Sequence, residues 1–228
     1  MSASRSVPSV GVRGVVFDYG GVLTTPVGDS IRAWLARAAI EPSSFSRTLK
    51  EWLSRDAPSG TPVHRLETGA LSVDEFNVLL AERLVRLDGS PVEPDGLLKG
   101  LFADVRPDPA MIGLVERLSA NGVEVALLSN SWGSDDYPWD VVDRLFRTTV
   151  ISGRDGVRKP DRESFALVLD RMGLGADVTV FVDDAEPNVL GARRVGMRAI
   201  HHVDAASTRA ELEELIPALT VDLTEEST

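Results

Sequence analysis

Short runs rich in β-branched residues alternate with punctuated amphipathic segments, and this alternation constrains the fold more than any other feature of the chain. GVRGVVF (11–17), VEVALL (123–128), VTVFV (178–182) and MRAIHHV (197–203) read as strands, with TTVIS (148–152) as a shorter one. They are apolar with little residue-to-residue alternation, the pattern of parallel strands covered on both faces. Helices lie between them. In DPAMIGLVERLSANG, Asp108 is placed to cap, Pro109 fits the first helical position and Asn121-Gly122 ends the helix. Met111, Ile112, Val115 and Leu118 form its inner face. In KPDRESFALVLDRMG, Pro160 takes the first helical position and Gly173 terminates; in EPNVLGARRVG, Pro187 starts and Gly196 stops. Such alternation implies right-handed crossovers and an α/β fold, a Rossmann-like doubly wound parallel sheet.

One stretch breaks the rhythm. From Pro26 to Val105 the pattern is purely helical. Phe45, Leu49, Trp52 and Leu53 fall on one face, and Ser72 with Glu75 forms a capping box ahead of Phe76, Leu79, Leu80 and Leu84. That is too long for a simple crossover. The expected division is a core of residues 1–25 and 106–228, with 26–105 as an inserted α-helical cap domain over the sheet edge.

Composition narrows the partners. The net charge of −11 over 228 residues opposes nucleic acid and anionic lipid, so neither is expected as a partner. The same field repels anionic substrates, so a bound phosphate needs a local cation. No apolar run approaches the ~18 residues of a membrane span. MSASRSVPSV lacks an apolar signal-peptide core and reads as a short tail, as does TEEST at the other end. The absence of cysteine excludes disulfides, thiolate metal sites and cysteine nucleophiles, and fits a cytoplasmic protein.

Ligands of parallel α/β sheets bind at the carboxyl ends of the strands. Asp18 follows the first strand, Ser129-Asn130-Ser131 the second, and Asp183-Asp184 the VTVFV strand; Lys159 precedes a helix that starts on the same side. Singly, each suits a cap or a turn. Together they place three carboxylates and one lysine on one edge. Adjacent carboxylates repel unless a cation lies between them. A bound Mg²⁺ balances the excess, and hard oxygen ligands suit it. Ser129 and the amides after it then donate to a phosphate, Lys159 supplies fixed charge, and Asp18 is left as nucleophile.

Four stretches in order, VVFDYGGVLT, LLSNS, RKPD and FVDDAEPNV, with HRLETGALSVDEF in the helical insert, carry a resemblance. From about Val12 to Val203 the chain resembles the haloacid dehalogenase-like hydrolases. It is most similar to the branch with a small helical cap, which includes sugar-phosphate phosphatases and the epoxide hydrolase N-terminal phosphatase-like domain. The resemblance implies a Mg²⁺-dependent phosphatase of a small phosphorylated metabolite, a sugar phosphate among the candidates. It makes Asp18 the residue that forms an aspartyl-phosphate. Ser129 and the Asn130 backbone hold the phosphoryl oxygens, and Lys159 bridges nucleophile and phosphate. Asp184 and the Gly20 carbonyl join Asp18 as metal ligands, with Asp183 close by or bound through water. Asn188 either orders the last loop or simply occupies a first helical turn.

The departure is Gly20. Most phosphatases of this family carry a second Asp there, which protonates the leaving oxygen and then activates water. Such help is worth ~10²–10⁴ in rate, or roughly 3–5 kcal/mol of barrier. Three responses are open: another proton carrier such as His64; a substrate that leaves without protonation, such as a sugar 1-phosphate or an acyl phosphate; or a slow or silent enzyme. Two other functions stay in view, a 2-haloacid dehalogenase-like hydrolase and a catalytically weak or inactive binding protein. Trp34, Trp52, His64, Arg65 and Trp132 are candidates to line the site or to pack.

Overall fold

The computed structural model describes residues 11–53, 60–133 and 137–219. The two expected tails, 1–10 and 224–228, lie outside these residues. Five strands form, β1 (Gly14–Phe17), β2 (Glu124–Ser129), β3 (Thr148–Ile151), β4 (Thr179–Asp183) and β5 (Arg198–His201). All pair in parallel in the order β3-β2-β1-β4-β5, so β1 is central. The register sets Phe17 beside Leu127 on one flank and Val182 on the other.

Successive side chains on a strand face opposite ways, and the two faces bury different helices. Val15, Phe17, Leu127, Val180 and Val182 join Met111, Leu114, Val115 and Leu118 of one helix and Leu212 of another. Val16, Ala126, Leu128 and Phe181 join Phe165, Val168 and Ala192 on the other side. Each fully buried Val, Leu, Met or Phe among them contributes about 1.5–3 kcal/mol. This double covering is why the central strands read as continuous apolar runs. At the β5 edge the expectation weakens: Ala199 is half-buried and His201 exposed, because that strand has a neighbour on one side alone.

Eleven helices occur among the described residues: α1 (Val27–Arg37), α2 (Pro42–Leu53), α3 (Pro62–Glu67), α4 (Val73–Ala81), α5 (Leu97–Leu101), α6 (Pro109–Ala120), α7 (Trp139–Leu145), α8 (Ser152–Asp155), α9 (Arg162–Met172), α10 (Glu186–Arg194) and α11 (Ala205–Leu215). The Asp108 side chain accepts from the amides of Ala110 and Met111 at the start of α6, with Pro109 first in the helix. Ser72 and Glu75 make the reciprocal capping box on α4. Gly173 closes α9 in the left-handed conformation.

Pro160 departs from expectation. It sits in a turn after a cis Lys159–Pro160 bond, and α9 begins only at Arg162 with Asp161 as its extended N-cap. Lys159 lies ahead of the helix, with its side chain at the sheet edge. Pro187 likewise is the second residue of α10, not the first. Leu53 also differs, being exposed where α2 ends, while Phe45 and Trp52 are buried.

Helices α1–α5 gather around a separate apolar cluster that includes Trp34, Phe45, Trp52, Leu66, Phe76 and Leu98. Trp132, from the loop after β2, packs against it, edge-on to Phe76 and Phe102. Among the described residues no helix is long and apolar enough to cross a membrane.

Candidate active site

The central strand delivers Asp18 to the carboxyl edge, and the Asp18 amide extends the ladder by donating to Val182 O at 2.9 Å. Ser129 ends β2 and Asp183 ends β4. Lys159 arrives from the turn before α9, 1% exposed, with Nζ 2.7 Å from both Asp18 Oδ1 and Asp183 Oδ2. A buried ammonium is stable only when paired, and here two carboxylates share it. One oxygen from each of Asp18, Asp183 and Asp184 lies within 4.8 Å of the others.

The three acids differ. Asp183 is fully buried and its acceptor positions are taken. Oδ1 accepts from the Ala185 amide and Asn188 Nδ2, while Oδ2 accepts from Lys159 and Asn188 Nδ2. Asn188 thus orders this loop. On Asp18, the Tyr19 amide and Lys159 both bond Oδ1. Asp18 is 9% exposed, and burial raises its pKa to about 7; Lys159 opposes this, while Asp183 and Asp184 add to it. Asp184 is the more exposed acid, also raised, by burial first and then by Asp183.

Gly21 admits Asp184. Its φ is +78°, and a Cβ there would lie 2.3 Å from Asp184 Oδ2. Gly20 differs: a Cβ would meet Val27 Cγ2 at 3.5 Å, an ordinary contact. The amides of Val22 and Leu23 bond Tyr19 O, so the Gly20 carbonyl takes no part in those turn bonds.

Ser129 is buried and accepts a hydrogen bond from the Tyr137 hydroxyl at 2.8 Å. The Asn130 side chain accepts from Lys159 N at 2.8 Å and donates to Lys159 O at 3.0 Å, tying the loop after β2 to the lysine's backbone. Arg158 pairs with Glu67 of α3 at 2.6 Å, both side chains largely buried. Burial raises the Glu67 carboxyl, against the pull of Arg158.

The structure thus brings Asp18, Ser129, Lys159, Asp183 and Asp184 together. His64 has charged neighbours in the RKPD turn that carries Lys159: burial and then Arg158 lower its pKa, with Asp161 opposing. Trp34 and Trp52 are packing residues, and Arg65 is exposed. Sequence reasoning missed Gly21, Tyr137 and the Glu67–Arg158 pair. For Gly21 the doubled glycine was the available signal; for the others no local signal exists.

A haloacid dehalogenase-like hydrolase family model matches residues 12–196. A sesquiterpene phosphatase of Aspergillus oryzae is 28% identical over 90% of this chain and 96% of its own length. Bifunctional epoxide hydrolase 2 of Rattus norvegicus is 23% identical over 90% of this chain, which spans 39% of that protein. The solved structure of a HAD family enzyme from Bacteroides thetaiotaomicron, in complex with magnesium and inorganic phosphate, is 21% identical. It superposes with a TM-score of 0.60 over 83% of this chain and 93% of the other. With the parallel sheet and its acidic carboxyl edge already in place, the match over residues 12–196 settles the family: the chain belongs to the haloacid dehalogenase-like hydrolases.

Proposed function

We propose that this chain is a Mg²⁺-dependent phosphatase of a small phosphorylated metabolite, acting through an aspartyl-phosphate on Asp18. The observation that carries the reading is the Asp18–Lys159–Asp183 chain of 2.7 Å contacts at the sheet edge, with Asp184 beside it. A two-carboxylate, one-lysine cluster with a neighbouring third acid suits a divalent cation with hard oxygen ligands. Asp18, Asp184 and the Gly20 carbonyl would hold it, and Asp183, whose acceptors are occupied, reaches it at most through water. When bound, Mg²⁺ neutralises phosphoryl charge.

Asp18 Oδ2 carries neither of the bonds made to Oδ1, and it attacks phosphorus as the bond to the leaving oxygen breaks. Ser129 Oγ, the Asn130 amide and Lys159 Nζ hold the phosphoryl oxygens and stabilise the charge that develops there. Water then attacks the aspartyl-phosphate, the phosphorus–Asp18 bond breaks, and inorganic phosphate and free Asp18 are restored. Residues 26–105 form a cap whose side chains choose the leaving group. With Gly20 unable to move a proton, the preferred leaving group departs as an anion or is protonated by solvent, as with a sugar 1-phosphate or acyl phosphate. The cysteine-free composition supports a cytoplasmic setting.

Phosphate release across a panel of phosphorylated metabolites, with Mg²⁺ or EDTA, tests the reading. Turnover should require Mg²⁺ and fall at least ~10³-fold in Asp18→Asn. Undiminished release by Asp18→Asn, or no substrate at all, overturns it. Metal-independent halide release from 2-haloacids would install a dehalogenase, and saturable ligand binding without turnover a binding protein.

A further inference from the structure

A serine hydroxyl has one proton to give and two lone pairs. In this molecule one lone pair of Ser129 is filled by the Tyr137 hydroxyl at 2.8 Å. The serine's own proton must therefore go to a different acceptor. Ser129 closes β2 beside β1, the strand that Asp18 directly follows, so the edge of the site is where that acceptor is met.

Tyr137 is itself fixed by a row of rings. Its centroid lies 4.9 Å from Tyr19 and 5.4 Å from Trp139, and the Arg154 guanidinium stands 3.8 Å from the Trp139 centroid. Tyr19 belongs to the nucleophile loop, its amide donating to Asp18 Oδ1. The row thus spans from the Asp18 backbone to the helix that follows the Ser129 loop. Tilted ring pairs of this spacing add to packing, and a two-torsion side chain held between two ring neighbours has little freedom left. Burial holds the phenol well above its usual pKa, with the Ser129 hydrogen bond opposing and Asp18 adding, so it stays a donor.

We propose that Tyr137 is a positioning residue: by occupying one lone pair of Ser129 it aims the serine proton at the oxygen of a bound phosphoryl group. The inference rests on the phosphatase reading, and it concerns how tightly the phosphoryl group is held, not the attack by Asp18.

The test uses the intact chain with Mg²⁺, p-nitrophenyl phosphate as substrate and calorimetric binding of inorganic phosphate. Tyr137→Phe keeps the ring row and deletes the hydroxyl. It should raise KM and the phosphate Kd roughly fivefold, the worth of one modest hydrogen bond, with kcat falling by no more than the same factor. In a Ser129→Ala background the same change should alter the phosphate Kd by less than about twofold, because the residue it acts through is gone. Tyr137→Leu, which also breaks the rings, should add a loss of Tm that Tyr137→Phe lacks. An unchanged phosphate Kd in Tyr137→Phe overturns the proposal. So does an equal effect with and without Ser129, which is what a purely structural tyrosine gives. If wild type binds phosphate but hydrolyses nothing, the phosphatase reading falls while the Kd cycle still decides the role of Tyr137. If wild type neither binds nor hydrolyses, both fall.

Discussion

Gly20 and Gly21 are neighbours with opposite reasons for lacking a side chain. At Gly21 the backbone is left-handed and a Cβ would strike the Asp184 carboxylate, so glycine is imposed by the site's own geometry. Gly20 is free of both constraints, with Val27 Cγ2 at a normal 3.5 Å from a Cβ. Neither the backbone conformation nor room for a Cβ imposes glycine there. Gly20→Asp should therefore fold and should accelerate substrates with poor leaving groups. With alkyl phosphates the gain expected is ~10²-fold, the low end of general-acid contributions, while p-nitrophenyl phosphate should gain little. Rates across a series of leaving-group pKa values check this, and an alkyl phosphate that gains nothing refutes it. Asp18, Ser129, Lys159 and the Asp183-Asp184 pair were legible in the sequence because each sits at a strand end or a turn with its own punctuation. Tyr137 was not, because it stands eight residues from Ser129 with no local pattern linking them, and the reason for Gly21 was not, because Asp184 is remote in sequence although it follows the strand beside β1.

At the level of elements, strands and caps were read well where local chemistry is sufficient. The Asp108 cap, the Ser72–Glu75 box and the Gly173 stop all depend on residues within a turn of one another. Pro160 does not follow its local preference for the first helical position: the helix starts at Arg162, and Lys159 ahead of it meets two carboxylates from other segments, a contact no local pattern shows. Helix α3 shows the same limit, since nothing in its own segment marks Glu67 as a residue buried against Arg158. Deleting one member of a buried pair strands the other charge. Glu67→Ala should cost about 3 kcal/mol, read from the urea midpoint, and Glu67→Ala/Arg158→Ala should recover part of it. Equal losses in the single and double variants would show that the pair contributes packing alone.

For the molecule as a whole, a net charge of −11 repels the proposed substrate, so binding depends on a local reversal of sign. The cation that supplies it should also stabilise the fold. At about 100-fold over its Kd a ligand adds about 2.7 kcal/mol, or roughly 5–10 °C in Tm for a chain of this size. Asp184→Asn should abolish the shift. Its pH dependence follows from Asp18. Without metal, the folded pKa of about 7 lies above the 3.8 of an unperturbed Asp, so this group's stabilisation is present below the lower value and lost as pH rises through about 7. Metal requires the ionised form, so the Mg²⁺-induced rise in Tm should be larger at pH 8 than at pH 6. Calorimetric scans at matched ionic strength decide, and an equal rise at both pH values refutes the assignment. The position of Trp132 has a mechanical consequence. It follows Ser129 by three residues yet packs into the cluster of α1–α5, so the helical layer and the loop after β2 share one packed joint. Any tilt of that layer is transmitted as a tug on the loop, and filling the site is felt by the layer as a load on its own core.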